Sequence, residues 1–342
     1  MQRVCITGGA GFVASHLADA FCGRFPLAEI IVVDKIGYAS RRDHLAAALG
    51  SGQVRLIEAS ICDQPLMRNL LKGVDLVVHA AAESHVDNSY RNVVPFLESN
   101  IAGTVTLLQA AIDNNVRLFL HLSTDEVYGG ADDHLFRDND ALAPTNPYAA
   151  SKASAEMFVH CYSKSYMLPT IISRANNIFG PRQYPEKLVP KLICDALRGE
   201  KFKIHGNGSA RRSFLHVRDF CGAVVTLVTK GEHGQVYNVP GACEHSVMEV
   251  VELVGRFTGR SCEQLAERGL DRPFNDSRYG VVADKLLALG WHPEATLEAE
   301  LPGLIDWYAE NLHLYFDAVS DGAVLAAERG RPASKYVTGL PR

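Results

Sequence analysis

Residues 6–15 read ITGGAGFVAS, and no other stretch constrains the chain as much. The run RVCIT before it is a short, β-branched, apolar segment, and the residues after it carry helical spacing. A strand that passes through a glycine turn into a helix can set a pyrophosphate on the helix N-terminus. Gly8 permits the tight turn, and Gly11 lets the backbone approach the phosphates. Ala14 stands at the third position, where the fingerprint accepts glycine or alanine. Asp34 closes the second apolar run, EIIVVD, at the distance where a ribose-binding acid belongs. A carboxylate there accepts from the adenosine ribose hydroxyls and repels a 2′-phosphate, which favours NAD over NADP. Lys35, Arg41 and Arg42 weaken that preference without reversing it.

The first half of the chain repeats this alternation. Near-continuous apolar runs at 3–7, 29–34, 53–59, 75–81, 117–123 and 169–175 read as strands covered on both faces. Segments 99–115 and 147–166 between them have helical period and length. Strict alternation implies βαβ units and a parallel sheet. The expected class is α/β, a Rossmann-type doubly wound sheet with a smaller C-terminal α/β substrate-binding region. Its expected division is 1–174 for the nucleotide domain, with a returning segment at about 212–238. Segments 175–211 and 239–318 form the second region, and 319–342 a tail.

With 342 residues, 47% of them hydrophobic, the chain can bury a large core. A formal charge of −5 gives no electrostatic ground for nucleic acid or an anionic membrane as partner. No apolar stretch reaches membrane-spanning length, and the N-terminus lacks the layout of a signal peptide. The eight cysteines show no CxxC and no Cys/His cluster, so neither a disulfide framework nor a metal site is expected. The expected setting is the cytoplasm.

Two further motifs carry chemistry. In LSTDEVYG, residues 122–129, a hydroxyl and two carboxylates follow a core strand. Adjacent carboxylates in a water-poor pocket split their proton affinities, because both cannot easily ionise together. In NPYAASKASAE, Tyr148 and Lys152 stand four residues apart near a helix start, on one face. A neighbouring ammonium stabilises a phenolate and can make the tyrosine a base for deprotonating a hydroxyl during hydride transfer.

Nine motifs in order, TGGAGF, HAAAESHVDNS, SNIAGT, STDEVYG, PYAASKASAE, NNIFGPRQYPEKLVP, GNGSARRSFLHVRD, YNVPG and DRPFNDSRY, resemble the extended short-chain dehydrogenase/reductase family. Within it the chain looks most like the nucleotide-sugar 4,6-dehydratases, over nearly its whole length. The resemblance implies a closed redox cycle. Thr124 and Tyr148 bind the sugar's 4-hydroxyl, Tyr148 with Lys152 supports its oxidation by NAD, Glu126 removes the C5 proton, and Asp125 protonates the departing 6-hydroxyl.

The resemblance also implies cofactor contacts at Gly8, Gly11, Phe12, Val13, Asp34, Lys35, Ser60, Ile61, Ala80, Ala81, Ala82, Asn100, Ser123, Tyr148 and Lys152. Substrate contacts are implied at Ser84, Thr124, Asn177, Glu186, Lys187, Leu188, Lys203, His205, Arg212, Asn238, Arg272 and Asn275, with Arg212 and Arg272 on the diphosphate. His85 reads as a hydrogen-bonded structural histidine.

Ser60 replaces the family's usual adenine-contacting aspartate. Lys203, His205 and Asn275 also depart from the common pattern near the nucleotide, so thymidine does not follow from the resemblance. A 4-epimerase or decarboxylase on the same scaffold is the alternative, and a non-catalytic NAD-binding regulator a remoter one. Relatives of the first kind typically lack the consecutive Asp–Glu. The resemblance implies a homodimer, in which the apolar faces of 99–115 and 147–166 pair with a second subunit in a four-helix arrangement.

Overall fold

The computed structural model describes residues 1–316. The expected tail at 319–342 lies outside them. Twelve strands are present among the described residues. In chain order they are β1 (Arg3–Thr7), β2 (Glu29–Asp34), β3 (Val54–Glu58), β4 (Leu76–His79), β5 (Leu118–Thr124) and β6 (Thr170–Ala175). There follow β7 (Asn177–Phe179), β8 (Phe202–Ile204), β9 (Arg211–His216), β10 (Gln235–Val239), β11 (Cys243–Ser246) and β12 (Ala266–Arg268).

Seven of them form one parallel sheet in the order β10-β6-β5-β4-β1-β2-β3. Its order reverses between β1 and β4, and ligands of open α/β sheets bind outside the strand carboxyl ends at such a point. β7, β9 and β11 make a separate three-stranded sheet, and β8 pairs with β12. The segment from β9 to β10 therefore serves two sheets: β9 belongs to the small one, and β10 extends the large one beside β6.

The large sheet is apolar on both faces, so its strands lack polar alternation. Leu17 and Phe21 of α1 (Phe12–Arg24) join Phe220 and Val224 of the helix Val217–Lys230 over one face. Leu107, Leu108 and Val159 cover the other, from the helices Gly103–Asp113 and Pro147–Tyr166. A second core, with Val189, Leu192, Val250, Leu301 and Tyr308, fills the C-terminal region.

The helix expected at 99–115 differs from that reading. It begins at Val94, and residues 97–102 are π-helical before regular turns resume at Gly103. Such bulges reorient a side chain inside a helix. A Cβ on Gly103 would stand 2.5 Å from Ile61 Cδ1, so the Ile61 side chain would have to shift to admit it. The eight cysteines are free thiols. Among the described residues, no helix is long and apolar enough to cross a membrane.

Candidate active site

The turn after β1 brings the glycines to the switch point. Gly8 has φ +71°, and a Cβ on it would lie 2.7 Å from Ala81 Cα. Its carbonyl accepts from Gly11 N–H at 3.0 Å, so the turn is closed before α1 starts. Asp34, buried at the end of β2, accepts from Ala10 N at 3.0 Å, Ile36 N at 2.7 Å and Ser40 Oγ at 3.3 Å. A carboxylate offers about four lone-pair sites. One therefore stays available to a ribose hydroxyl.

Opposite the turn, the loop after β4 is fixed by a chain of buried hydrogen bonds. Ala80 N and Ala81 N both donate to Thr7 Oγ1, whose own hydrogen then points at His79 Nδ1, 2.8 Å away. His79 Nε2 therefore carries the proton and donates to Thr104 Oγ1 at 2.8 Å, which donates to Asn100 O. Burial pushes the His79 imidazole down to about 3, with Lys152 adding in the same direction, and keeps it neutral.

The cleft between turn and loop is lined by Gly8, Gly11, Phe12, Val13, Asp34 and Lys35 on one side. Ser60, Ile61, Ala80, Ala81, Ala82, Ser123, Tyr148 and Lys152 line the rest. Ser123 Oγ is buried in its wall with no hydrogen-bond partner. A tight glycine cradle, an acid at the ribose position and an unpaired buried hydroxyl together fit a dinucleotide.

Asn100 does not belong to that set. Only 1% exposed, it spends its amide on Glu83 N at 2.8 Å, Glu83 O at 2.9 Å and Ser151 Oγ at 2.8 Å. It locks the cleft loop to the helix Pro147–Tyr166 from behind and has no donor left for a cofactor.

The reacting centre lies at the carboxyl end of β5. The strand ends on Thr124, and a short 3₁₀ turn at Asp125–Tyr128 follows, with Thr124 Oγ1 accepting from Glu126 N at 3.3 Å. Asp125 is 2% exposed. Burial, and then the charge of Glu126, push its carboxyl up to about 7, against hydrogen bonds from Asn176 and Thr124. Glu126 accepts from Asn146 Nδ2 at 3.0 Å. Asn146 also caps the helix Pro147–Tyr166 by accepting from Ala149 N, so one side chain joins the acid turn to the helix carrying Tyr148 and Lys152.

Tyr148 and Lys152 are both buried. The lysine ammonium donates to Leu122 O at 2.6 Å and lies 3.4 Å from His121 Nε2. Burial lowers it to about 8, while Glu156 opposes that shift. Tyr148 corrects an expectation. Burial, then Glu126 and Asp125, hold its hydroxyl well above the ordinary tyrosine range, and only Thr124 works downward. In this ligand-free arrangement the lysine is turned to the β5 carbonyl, and no lowered phenol results.

Substrate-side residues converge from the second region. Lys187 lines the cleft and donates to Ser84 O at 2.5 Å, with its ammonium 5.9 Å from the Tyr148 ring centre. Glu186 accepts from Tyr38 Oη at 3.0 Å, while Leu188 turns its side chain to the second core. Arg212 donates to Asn275 Oδ1 at 3.3 Å and lies over the Tyr279 ring at 4.8 Å. Arg272 pairs with Asp87. His205 hydrogen-bonds Leu270 O at 2.7 Å, and Lys203 is exposed on β8. His85 stands between carboxylates, 3.7 Å from Asp87 and 3.6 Å from Glu186, and its Nδ1 has no hydrogen bond.

Asn238 is a second correction. It is 0% exposed, accepts from Tyr128 Oη at 2.8 Å, and donates to Phe136 O and Val282 O. Those bonds consume its donors, and its burial puts it out of a nucleotide's reach. Of the two adjacent asparagines, Asn177 is exposed, whereas Asn176 donates to Asp125 Oδ2 at 2.6 Å. Sequence reasoning missed Asn176, Asn146 and Asp87. Only Asn146 had a local signal, an Asn–Pro pair opening a helix.

A family model described as the NAD dependent epimerase/dehydratase family matches residues 4–240. The chain is 41% identical, over 96% of its length, to a trifunctional UDP-glucose 4,6-dehydratase/UDP-4-keto-6-deoxy-D-glucose 3,5-epimerase/UDP-4-keto-L-rhamnose-reductase of Arabidopsis thaliana. It spans half, 50%, of that protein's length. It is 38% identical to the dTDP-D-glucose 4,6-dehydratase of Mus musculus, covering 93% of this chain and 91% of that one. The crystal structure of DesIV, a dTDP-glucose 4,6-dehydratase from Streptomyces venezuelae with NAD bound, superposes with a TM-score of 0.89 at 35% identity, covering 92% of this chain and 99% of that one. Matching the family model over residues 4–240 and its relatives across most of its length, the chain belongs to the NAD dependent epimerase/dehydratase family, within the extended short-chain dehydrogenases/reductases.

Proposed function

We propose that the protein catalyses the NAD-dependent 4,6-dehydration of a nucleoside-diphosphate hexose to its 4-keto-6-deoxy product, a hydro-lyase reaction. One observation carries this reading: Asp125, buried and raised to about 7, stands beside Glu126, and the charges of both acids act on Tyr148, which lines the cleft. A proton donor next to a carboxylate is what elimination of water across C5–C6 needs, and simple epimerisation at C4 does not use it.

The cleft residues from Gly8 to Ala82 would hold NAD, which when bound takes a hydride from C4 and returns it to C6. Thr124 orients the 4-hydroxyl and Tyr148 receives its proton. Because burial and the two carboxylates hold Tyr148 protonated in the ligand-free site, it needs nearby positive charge to act as a base. The resulting ketone acidifies the C5 proton, which Glu126 removes while Asp125 protonates the leaving 6-hydroxyl, and Glu126 gives its proton back to C5 as C6 is reduced. Lys187, Arg212 and Arg272 bring positive charge to the substrate side, where a diphosphate belongs.

The same reading divides the chain into a nucleotide domain and a substrate region; a second core around Val189, Val250 and Leu301 supports it, while Leu286 and Trp291 of the substrate region pack into the nucleotide domain's core. It also sets the protein in the cytoplasm as a homodimer. Met157 and Phe158 are exposed on the helix Pro147–Tyr166, and Val94 and Leu97 are exposed just before the segment 99–115.

The test is incubation with dTDP-, UDP-, GDP- and CDP-glucose and UDP-N-acetylglucosamine, read by mass spectrometry. A 4-keto product lighter by one water is expected. An isomer of unchanged mass would replace this reading with epimerisation.

A further inference from the structure

Asp87 has no role in the chemistry above, yet it makes a two-bond contact between the two regions beside the cleft. It lies in the helix Val86–Arg91, on the nucleotide side, and Arg272 comes from the second region 185 residues later. Its Oδ1 accepts from Arg272 Nε at 2.6 Å and its Oδ2 from Nη2 at 3.1 Å. Burial works against ionising this carboxyl, but the hydrogen bonds and charge of Arg272 outweigh it and hold Asp87 below the usual range.

The pair engages one edge of the guanidinium. An arginine has five N–H donors in a planar fork, so the Nη1–Nη2 edge is left over. Among the described residues, Nη1 has no hydrogen-bond partner. Asp87 lies 3.7 Å from His85, which lies 3.6 Å from the cleft-lining Glu186, so the pair stands next to the cleft. A long flexible arginine loses less freedom on binding an anion when it is already held by a second carboxylate. His85 and His205 also face Asp87, with Nε2 at 3.7 Å and 3.9 Å, but neither reaches hydrogen-bonding distance.

We infer that Asp87 is a positioning residue for the diphosphate: by holding the Nε–Nη2 edge of Arg272 it aims the opposite edge at the phosphates. This rests on Arg272 being a diphosphate ligand, and the test separates the two ideas.

The affinity of the full-length protein, with its bound NAD, is measured calorimetrically for UDP, dTDP, GDP and CDP and for the matching nucleosides. Asp87→Ala is expected to weaken the tightest diphosphate about tenfold, the cost of losing the bidentate partner that orients the guanidinium. Nucleoside binding and the melting temperature should stay as they were, and KM should rise far more than kcat falls. Arg272→Ala should weaken the diphosphate at least as much, and the double variant should be no weaker than Arg272→Ala alone.

Unchanged or tighter diphosphate binding in Asp87→Ala, the latter meaning that the carboxylate masks the arginine, overturns the inference. So do additive losses in the double variant. A matching loss of nucleoside affinity and melting temperature would make the pair a structural strap instead. Normal diphosphate binding by Arg272→Ala would show that the underlying assignment of Arg272 is wrong.

Discussion

At the scale of single residues, the two acids after Thr124 divide the work. Glu126→Gln keeps Tyr148 and Lys152 and should still allow oxidation at C4, while slowing elimination by about 10²–10⁴-fold, the usual span for losing a general base. Tyr148→Phe should block both steps. Rapid-quench analysis of the 4-keto intermediate separates the two variants, and Glu126→Gln with normal dehydration would remove Glu126 as the base. Asp125 adds a pH signature. Its folded pKa, about 7, lies above the ordinary carboxyl value of 3.8. The folded state therefore binds more protons than the unfolded one between those values, and stability falls as pH rises from about 4 through about 7. Asp125→Asn removes that cost, so at pH 8 its unfolding free energy should exceed the parent's by up to about 4 kcal/mol, with little difference at pH 4. Its elimination rate should collapse in the same samples. Denaturant titrations at the two pH values check the first part, and equal stabilities at pH 8 would contradict it.

At the scale of elements, the acids were readable because they interrupt an apolar strand, and the Tyr–Lys pair because a helix turn is four residues long. The residues that aim them were not. Asn176 meets Asp125 only because β6 lies beside β5, and Arg272 meets Asp87 only across the interface of the two regions. Neither proximity has a local sequence pattern. Asn100 and Asn238 failed in the opposite direction. Both occupy motif positions, but the π-helical bulge and the buried Tyr128–Arg174 network turn their amides into structural ties. The Tyr148 hydroxyl is held above its ordinary range, because burial and two carboxylates outweigh a lysine turned toward a backbone carbonyl. The glycine turn makes a prediction of its own. Gly8→Ala would put a Cβ 2.7 Å from Ala81 Cα at φ +71°, pushing apart the two walls of the cleft. Purified Gly8→Ala should carry little or no NAD by absorbance and cofactor extraction, and full occupancy would show that the cleft tolerates the displacement.

At the scale of the whole molecule, the parallel, doubly wound sheet followed from the alternation of apolar runs and helices, while its strand order came from the structure. The second region is built from segments that return to the first, and its two small sheets were read only as irregular chain. Its core forms between residues as distant as Val189 and Tyr308, beyond the reach of periodicity. The exposed Met157 and Phe158 bear on assembly, since apolar side chains clustered on one helix face favour burial against another surface. Phe158→Glu should convert a dimer into a monomer in light scattering, whereas a parent that is already monomeric would refute the dimer. The account as a whole turns on a hydride that leaves one carbon and returns to another within a single molecule. It is tested most directly by supplying the accepted nucleoside-diphosphate glucose with deuterium at C4 and locating the label in the product by NMR and mass spectrometry. The prediction is a 4-keto product lighter by one water with the deuterium at C6. A product of unchanged mass with the deuterium still at C4 would contradict it.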